Sequence, residues 1–450
     1  MQRLITKELE KWLNQPNRKP LLLEGARQIG KTYILKEFGN KYFKNYHYVN
    51  FEDNLDYKNL FDKDLKPQRI ISDLKIYFGM DIDIENDLVI FDEIQQCPRA
   101  ITSLKYFCEN LPSVKLAAAG SLLGVKLGAS SFPVGKVDFL NMYPMSFSEF
   151  LLALNKKDQY EILQAANPEQ ISSLAHKSFW DLMKVYFITG GLPEVVEEFL
   201  LYQNDRGIAF EQVRKKQLNL IKAYHSDIAK HSGKLNSMHI ESLWASAAVQ
   251  LGQDGNGSAN KFKFKDAIPG ISQFVRLESA LHWLLKTGLL LKSSIIHQAR
   301  LPLKAYSEPN HFKLFIFDVG ILGALMKLQP ATILDYEYGT YKGFFAENFA
   351  AQELACSINL AEDLYTWKGK NAEIEFLLDI EGNIVPLEIK SGTATKSKSL
   401  QVFIEKYQPK LSFVFSGKEY NCDQSHKKFN IPLYMISQVY NCFKKFTSIN

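Results

Sequence analysis

Cysteine is scarce in this chain: five in 450 residues, at Cys97, Cys108, Cys356, Cys422 and Cys442. They are odd in number, widely scattered, and never in the paired C-x-x-C spacing of a zinc site, which excludes a disulfide-stapled or zinc-ribbon scaffold. Reduced thiols in a cytoplasmic protein are expected. No run of about 18 apolar residues occurs, so no membrane partner is expected. The opening segment MQRLITKELEKWLNQ spreads its charges through an amphipathic pattern and lacks the apolar stretch of a secretory leader. Fixed-period repeats and low-complexity tracts are also missing, which excludes a solenoid. Charge of one sign is not in excess either. The 54 basic and 49 acidic residues leave +5, too mild to demand a polyanionic partner.

Ordinary globular composition is what remains, with 46% hydrophobic and 23% charged residues, well away from the disordered regime. At roughly 150 residues per domain, the length predicts about three domains. Up to about Phe150, short apolar runs (KPLLLEG, HYVNFED, DLVIFDE, VKLAAAGS, KVDFLNMYP) alternate with helical patterns. Such runs separated by helices predict a parallel sheet covered on both faces, an α/β domain.

Beyond Ser148 helical periodicity dominates, and a Gly-Gly-Leu-Pro turn divides two helices in FWDLMKVYFITGGLPEVVEEFL. The stretch DGNGSAN, residues 254–260, is the most turn-rich and predicts an exposed loop. RLESALHWLLKTGLLLKSS then places Leu277, Leu281, Leu284 and Leu285 on one helical face, and strands are predicted around LPLKAYSE and HFKLFIFD. A helix followed by a β-hairpin resembles a winged helix. From about Gly339 the predicted order is helix (GFFAENFAAQELAC), three strands (DLYTWKG, AEIEFLLDI, NIVPLEIKSG), helix (SLQVFIEKYQ) and strand (LSFVFSG).

Residues 25–32 read GARQIGKT, the G-x-x-x-x-G-K-[ST] pattern, between the apolar run LLLE and the helical YILKEFG. Gly25 and Gly30 let the backbone of Ala26, Arg27, Gln28 and Ile29 curl so that its N–H groups face phosphate oxygens, at the positive end of the following helix. Lys31 is then placed to reach the β- and γ-phosphates of ATP, and the Thr32 hydroxyl to ligate Mg²⁺. LVIFDE, residues 88–93, is an apolar strand ending in two carboxylates. Asp92 suits the Mg²⁺ and Glu93 the activation of water. Ser121 in AAAGSLLG is a further polar group at a strand's end.

Together with FDEIQ, AAGSLLG, FPVGKVDFLNMYPMSFSEFL, GGLPE and the late EIKSG, the GARQIGKT string resembles the prokaryotic AAA-type ATPases that carry a C-terminal domain of unknown function related to restriction endonucleases. The likeness covers nearly the whole chain. It implies an α/β P-loop ATPase core over 1–150, a helical lid over 151–235, a winged-helix-like module over 236–335 and a nuclease-like α/β domain over 336–450. Members often carry arginine where this chain has Lys136, and lysine cannot reproduce a planar bidentate arginine contact.

In the C-terminal part, strand alternation puts Glu373 and Glu375 of AEIEF on one face, and Glu388 and Lys390 of LEIK on one face. Two carboxylates can hold a second divalent ion, Mg²⁺ or Mn²⁺, that polarises a phosphodiester, while a lysine stabilises the developing charge. The arrangement resembles that of the PD-(D/E)-x-K nucleases, with Glu347 on the preceding helix as an additional acid. Where the family usually has aspartate this chain has Glu375, one methylene longer, which displaces a ligand by about an ångström.

Two outputs fit these residues. One is an ATP-controlled nuclease acting on DNA or RNA through Glu375, Glu388 and Lys390. The other is a nucleotide switch that contacts a protein partner or DNA through a non-cleaving C-terminal module. The basic run KFKFK, residues 261–265, is expected to be an amphipathic segment with its lysines in water. None of the nine histidines sits at metal-ligand spacing, and His225 and His231 are expected to be surface or core polar groups.

Overall fold

The computed structural model describes residues 1–121, 132–253, 260–268, 274–334, 342–357, 363–392, 397–423 and 427–448. The loop predicted at 254–260 falls, all but its last residue, outside the described residues, as does LLG after Ser121. The chain divides into two units: Gln2–Tyr143 with Lys286–Gly288, and Pro144–Leu285 with Leu289–Asn450.

The first unit runs α1 (Thr6–Leu13), β1 (Leu21–Glu24), α2 (Lys31–Tyr42), β2 (Tyr46–Asn50), α3 (Pro67–Phe78), β3 (Leu88–Asp92), α4 (Pro98–Asn110), β4 (Lys115–Gly120) and β5 (Asp138–Asn141). Its five strands are all parallel, in the order β2-β3-β4-β1-β5. Strands in the middle of a parallel sheet are covered on both faces and so read as unbroken apolar runs; Leu21 to Leu23, Leu88 to Phe91 and Leu116 to Ala119 are all buried. Below the sheet, Phe51, Phe61, Phe91 and Phe107 meet edge to face or tilted, with ring centroids 5.6–6.2 Å apart. This packing anchors β3 near its C-terminal end, at the edge where open α/β sheets take ligands.

The second unit combines helices with a mixed sheet. Ser146 opens α5 (Phe147–Ala153) with a full capping box to Glu149, and α6 (Lys157–Gln164) follows. The Gly-Gly turn separates α7 (Ser173–Thr189) from α8 (Pro193–Tyr202). Both glycines are obligatory: a Cβ on Gly190 (φ +69°) would lie 2.1 Å from the Asp318 carboxylate, and one on Gly191 2.0 Å from the Met145 carbonyl. Next come α9 (Arg206–Ser232), α10 (Lys234–Leu251), α11 (Phe274–Lys286), β6 (Leu290–Ile296), β7 (Ser307–Ile316), α12 (Val319–Leu325) and α13 (Pro330–Leu334). The C-terminal stretch adds α14 (Lys342–Cys356), β8 (Leu364–Lys368), β9 (Glu373–Ile380), β10 (Asn383–Ile389), α15 (Lys398–Tyr407), β11 (Ser412–Ser416), β12 (Asn421–Asp423), β13 (Lys428–Pro432) and α16 (Val439–Ser448).

From α14 to β11 these elements follow the predicted order; β12, β13 and α16 were not foreseen. The eight strands form one sheet, β12-β13-β11-β10-β9-β8-β6-β7. The hairpin β6–β7 is continuous with the C-terminal strands because β6 pairs in parallel with β8. One predicted strand is corrected. Leu303–Tyr306 in LPLKAYSE is a 3₁₀ turn, and the hairpin's first strand is Leu290–Ile296, within the stretch read as the end of a helix. Gly288, at φ +72°, follows the last helical turn and releases the chain into that strand. In KFKFK, Phe262 is buried and stacks on Phe312, while Lys263 and Lys265 are exposed, as the amphipathic pattern predicts.

Candidate functional site

The P-loop spans the step from β1 to α2. Gly25 sits at φ +143°, and a Cβ there would lie 2.1 Å from the Met142 carbonyl oxygen, so only glycine lets the loop leave β1 beside β5. Gln28 and Gly30 are left-handed at φ +64° and +93°. Gly30 caps the start of α2. Alternation of handedness of this kind turns successive N–H groups toward one concavity.

Lys31 opens α2 and is buried. Its ammonium donates to the carbonyls of Gly25 at 2.9 Å and Ala26 at 2.6 Å, so the side chain folds back over the loop it would serve. Burial pushes its pKa down to about 8, against the opposing pull of Glu93 and Asp92. Thr32 Oγ1 donates to Asp92 Oδ2 at 2.6 Å, and Tyr48 of β2 donates to the same oxygen at 2.8 Å. The other Asp92 oxygen accepts the Glu93 N–H at 3.0 Å. Burial, and then the Asp92 charge, raise the Tyr48 pKa, keeping it a neutral donor.

Glu93 leaves β3 in the left-handed region at φ +49°, which swings its carboxylate away from the strand direction. Gln95 donates to it, and burial raises its pKa above the ordinary glutamate value. Ser121, at the end of β4, accepts a hydrogen bond from Arg27 Nε at 3.1 Å, and Arg27 lies 3.9 Å from Glu52. Thus β1, β3 and β4 bring Gly25 to Thr32, Asp92, Glu93 and Ser121 to one edge. Lys136 is paired with Glu109 at 3.0 Å on the surface. Tyr48 was missed by sequence, because nothing in HYVNFED says that β2 will neighbour β3.

The second predicted cluster is built on α14, β9 and the end of β10. Glu347, Glu375 and Glu388 are all buried. Glu375 accepts the Ile389 N–H at 3.0 Å. Lys390 lies 2.5 Å from one Glu388 oxygen, whereas Glu388 Oε2 is buried without a hydrogen-bond partner. Burial, then the neighbouring Glu388 and Glu347, hold the Glu375 pKa well above the carboxylate range. Burial opposes the charge on Lys390, but Glu388 and Glu375 outweigh it and leave its pKa raised.

One member was unforeseen. Lys313 of β7, fully buried between Phe312 and Leu314, lies 3.2 Å from Glu347 and 2.6 Å from Glu373. A lysine inside the apolar run HFKLFIF is a signal that sequence could have raised. Among the described residues, no three of the carboxylates converge closely enough to share one ion. Among the described residues, only His297, Glu308 and His311 bring three potential ligand atoms within 4.8 Å of one another. The linear spacing of these histidines carries no metal-ligand mark; it is the β6–β7 hairpin that brings them together.

Residues 17–151 match a family model described as an AAA domain. Residues 181–332 and 342–436 match two domains of unknown function, DUF8612 and DUF4143. No curated protein matches the sequence. Among solved structures, the chain is similar to the Walker-type ATPase PABY2304 of Pyrococcus abyssi, at 16% identity and a TM-score of 0.44, over 71% of this chain and 94% of that one. The ORC1 protein of Aeropyrum pernix in complex with DNA is similar at 13% identity and a TM-score of 0.28, over 73% and 92%. PCH-2 of C. elegans is similar at 13% and 0.25, over 47% and 64%. The N-terminal region is an AAA-type ATPase domain of the nucleotide-binding P-loop class. Neither description of the remaining regions relates them to nucleases. No helix among the described residues is long and apolar enough to cross a membrane.

Proposed function

We propose that the chain is an ATP-driven switch whose first unit binds and hydrolyses Mg²⁺-ATP and whose nucleotide state controls the second unit. The observation that carries this is the 2.6 Å contact between Thr32 and Asp92. A hydroxyl from the first turn of α2 and a carboxylate from the end of β3, already side by side, are the donor set for Mg²⁺ at a P-loop. ATP phosphates would lie against the N–H groups of Gly25 to Thr32 and draw the Lys31 ammonium from the Gly25 and Ala26 carbonyls. Glu93 would take the proton of the attacking water, and Ser121, with Arg27 beside it, would sense the terminal phosphate. Lys136, held by Glu109, is given no role. We assign the protein to a reducing, cytoplasmic setting on its scattered cysteines.

Glu93→Gln tests the assignment. ATP binding should persist while hydrolysis falls by about a hundredfold or more; undiminished turnover would overturn the role of Glu93, and the absence of any ATP binding by the parent chain would overturn the whole reading.

A second reading concerns the other carboxylate cluster. The unpartnered Glu388 oxygen next to a Glu375 that resists ionisation supports a site for one divalent ion, with Lys390 beside it, of the kind that cleaves phosphodiesters. Circular, linear and single-stranded DNA and RNA incubated with Mg²⁺ or Mn²⁺ provide the assay. Cleavage lost in Glu388→Gln and Lys390→Ala supports a nuclease. Intact substrates, or cleavage surviving both changes, leave the non-cleaving switch.

A further inference from the structure

We propose a zinc site formed by His297, Glu308 and His311 on the β6–β7 hairpin, apart from both sites described above. The hairpin's pairing is regular up to Ser294 opposite Phe312, but Ile296 then faces Ser307. Between these pairs β7 carries three residues more than β6 can match, so the strand bulges. Bulges of this kind re-aim side chains at a sheet's edge, and β7 is the edge strand here. The consequence is that Glu308 and His311, both on the bulged segment, turn back toward His297, which follows β6.

The three side chains already have the chemistry of a site. Glu308 Oε2 lies 2.5 Å from His311 Nδ1, and Glu308 Oε1 lies 3.9 Å from His297 Nε2. The two imidazoles approach edge to face with centroids 6.3 Å apart. The other ring nitrogen of His297, Nδ1, sits 2.9 Å from the Lys368 carbonyl oxygen. A carbonyl can only accept, so Nδ1 carries a proton, and Nε2, on the side of Glu308, is the ring atom left for a metal. Fixing the tautomer through the distal nitrogen is how zinc-binding histidines are oriented.

Two imidazoles and one carboxylate suit Zn²⁺, with water as a fourth ligand. Bonds of about 2.0–2.2 Å at a tetrahedral angle put ligand atoms roughly 3.4 Å apart, so the 3.9 Å gap between Glu308 and His297 must shorten and the 2.5 Å contact between Glu308 and His311 must open as the ion enters between them. All three side chains are at least partly exposed, so small rotamer changes close the gap without disturbing a core. Bound there, the ion would clip the loop joining β6 and β7 to the bulge and stiffen the edge of the eight-stranded sheet.

Cobalt substitution in the full chain tests this. Stripped of metal and titrated with Co²⁺, the protein should take up one ion with the strong visible d–d bands of four-coordinate nitrogen and oxygen ligation, and Zn²⁺ should displace it. The bands should vanish in His297→Ala and in His311→Ala, while ATP binding and turnover stay unchanged. Octahedral oxygen sites, such as those of the P-loop or of Glu375 and Glu388, give only weak bands, and cysteine ligation adds sulfur charge-transfer absorption. The proposal is overturned if the strong bands do not appear, if they persist in both histidine variants, or if they carry thiolate absorption.

Discussion

The Thr32 hydroxyl donates to the Asp92 carboxylate at 2.6 Å, though 60 residues separate them in the chain. The pairing exists because β1 and β3 end at the same edge of the sheet with only β4 between them. Asn at position 92 would still accept from Thr32 and Tyr48 through its one oxygen, but would turn its amide toward the Glu93 N–H and lose the charge a metal needs. Asp92→Asn is therefore expected to fold with a loss of about 1–3 kcal/mol, while Mg²⁺-dependent ATP turnover falls by about a hundredfold. Paired melting curves and phosphate-release rates check this; wild-type turnover in the variant would remove Asp92 from the metal site.

Lys31 makes ATP binding a proton-linked event. Free of nucleotide, its buried ammonium has a pKa lowered to about 8. Phosphate oxygens favour the charged form, so binding raises that value. Below about pH 7 the lysine is protonated in both states and no proton moves on its account. Between the free and bound values the complex holds more protons, so ATP affinity declines as pH rises. Calorimetry in buffers of different ionisation enthalpy should show uptake on the order of 0.7 proton per ATP at pH 8.5, where the terminal phosphate is already fully ionised. Equal heats in all buffers at that pH would show that Lys31 does not change its charge.

What could be read without coordinates follows from how local each signal is. The P-loop, the Asp92-Glu93 pair and the Gly190-Gly191 turn were legible because each is contiguous in sequence and demands particular backbone geometry. The Glu375, Glu388 and Lys390 set was legible through the two-residue period of strands. Tyr48 and the His297 group were not, since each depends on which strand lies beside which; Lys313 showed as a lysine in an apolar run, but its partners Glu347 and Glu373 did not. That β6 would pair with β8, or that β7 would bulge, is a matter of tertiary register.

Two glycines with positive φ should respond differently to alanine. Gly79, at φ +64°, ends α3 with nothing within 4 Å of its missing Cβ. Gly79→Ala should cost only the left-handed penalty of about 1–2 kcal/mol. Gly25 combines φ +143° with a Cβ position 2.1 Å from the Met142 carbonyl oxygen, a contact that backbone must move to relieve. Gly25→Ala should lower the denaturation midpoint well beyond the Gly79 variant and abolish ATP binding, which Gly79→Ala leaves intact. Denaturant titrations with and without ATP distinguish the two, and similar losses in both variants would mean that the loop tolerates displacement.

Lys313 is the element on which the second unit's buried charges are balanced. Burial alone would lower its pKa, but Glu347, Glu373 and Glu375 outweigh burial and hold it above the ordinary lysine value. A raised value of this kind contributes stability that is complete below the unfolded pKa of about 10.5 and is lost only as pH climbs through the folded value. The lysine therefore remains a fixed cation at any physiological pH. Lys313→Met keeps the volume and removes the charge shared by Glu347 and Glu373. It should destabilise the unit by about 3–5 kcal/mol, since carboxylates buried around a missing partner are costlier than the pair was favourable. Adding Glu347→Gln to that variant should restore part of the loss by removing one of the uncompensated charges. Urea unfolding of the single and double variants at neutral pH is the measurement. Additive losses would show that Lys313 and Glu347 do not act on one another.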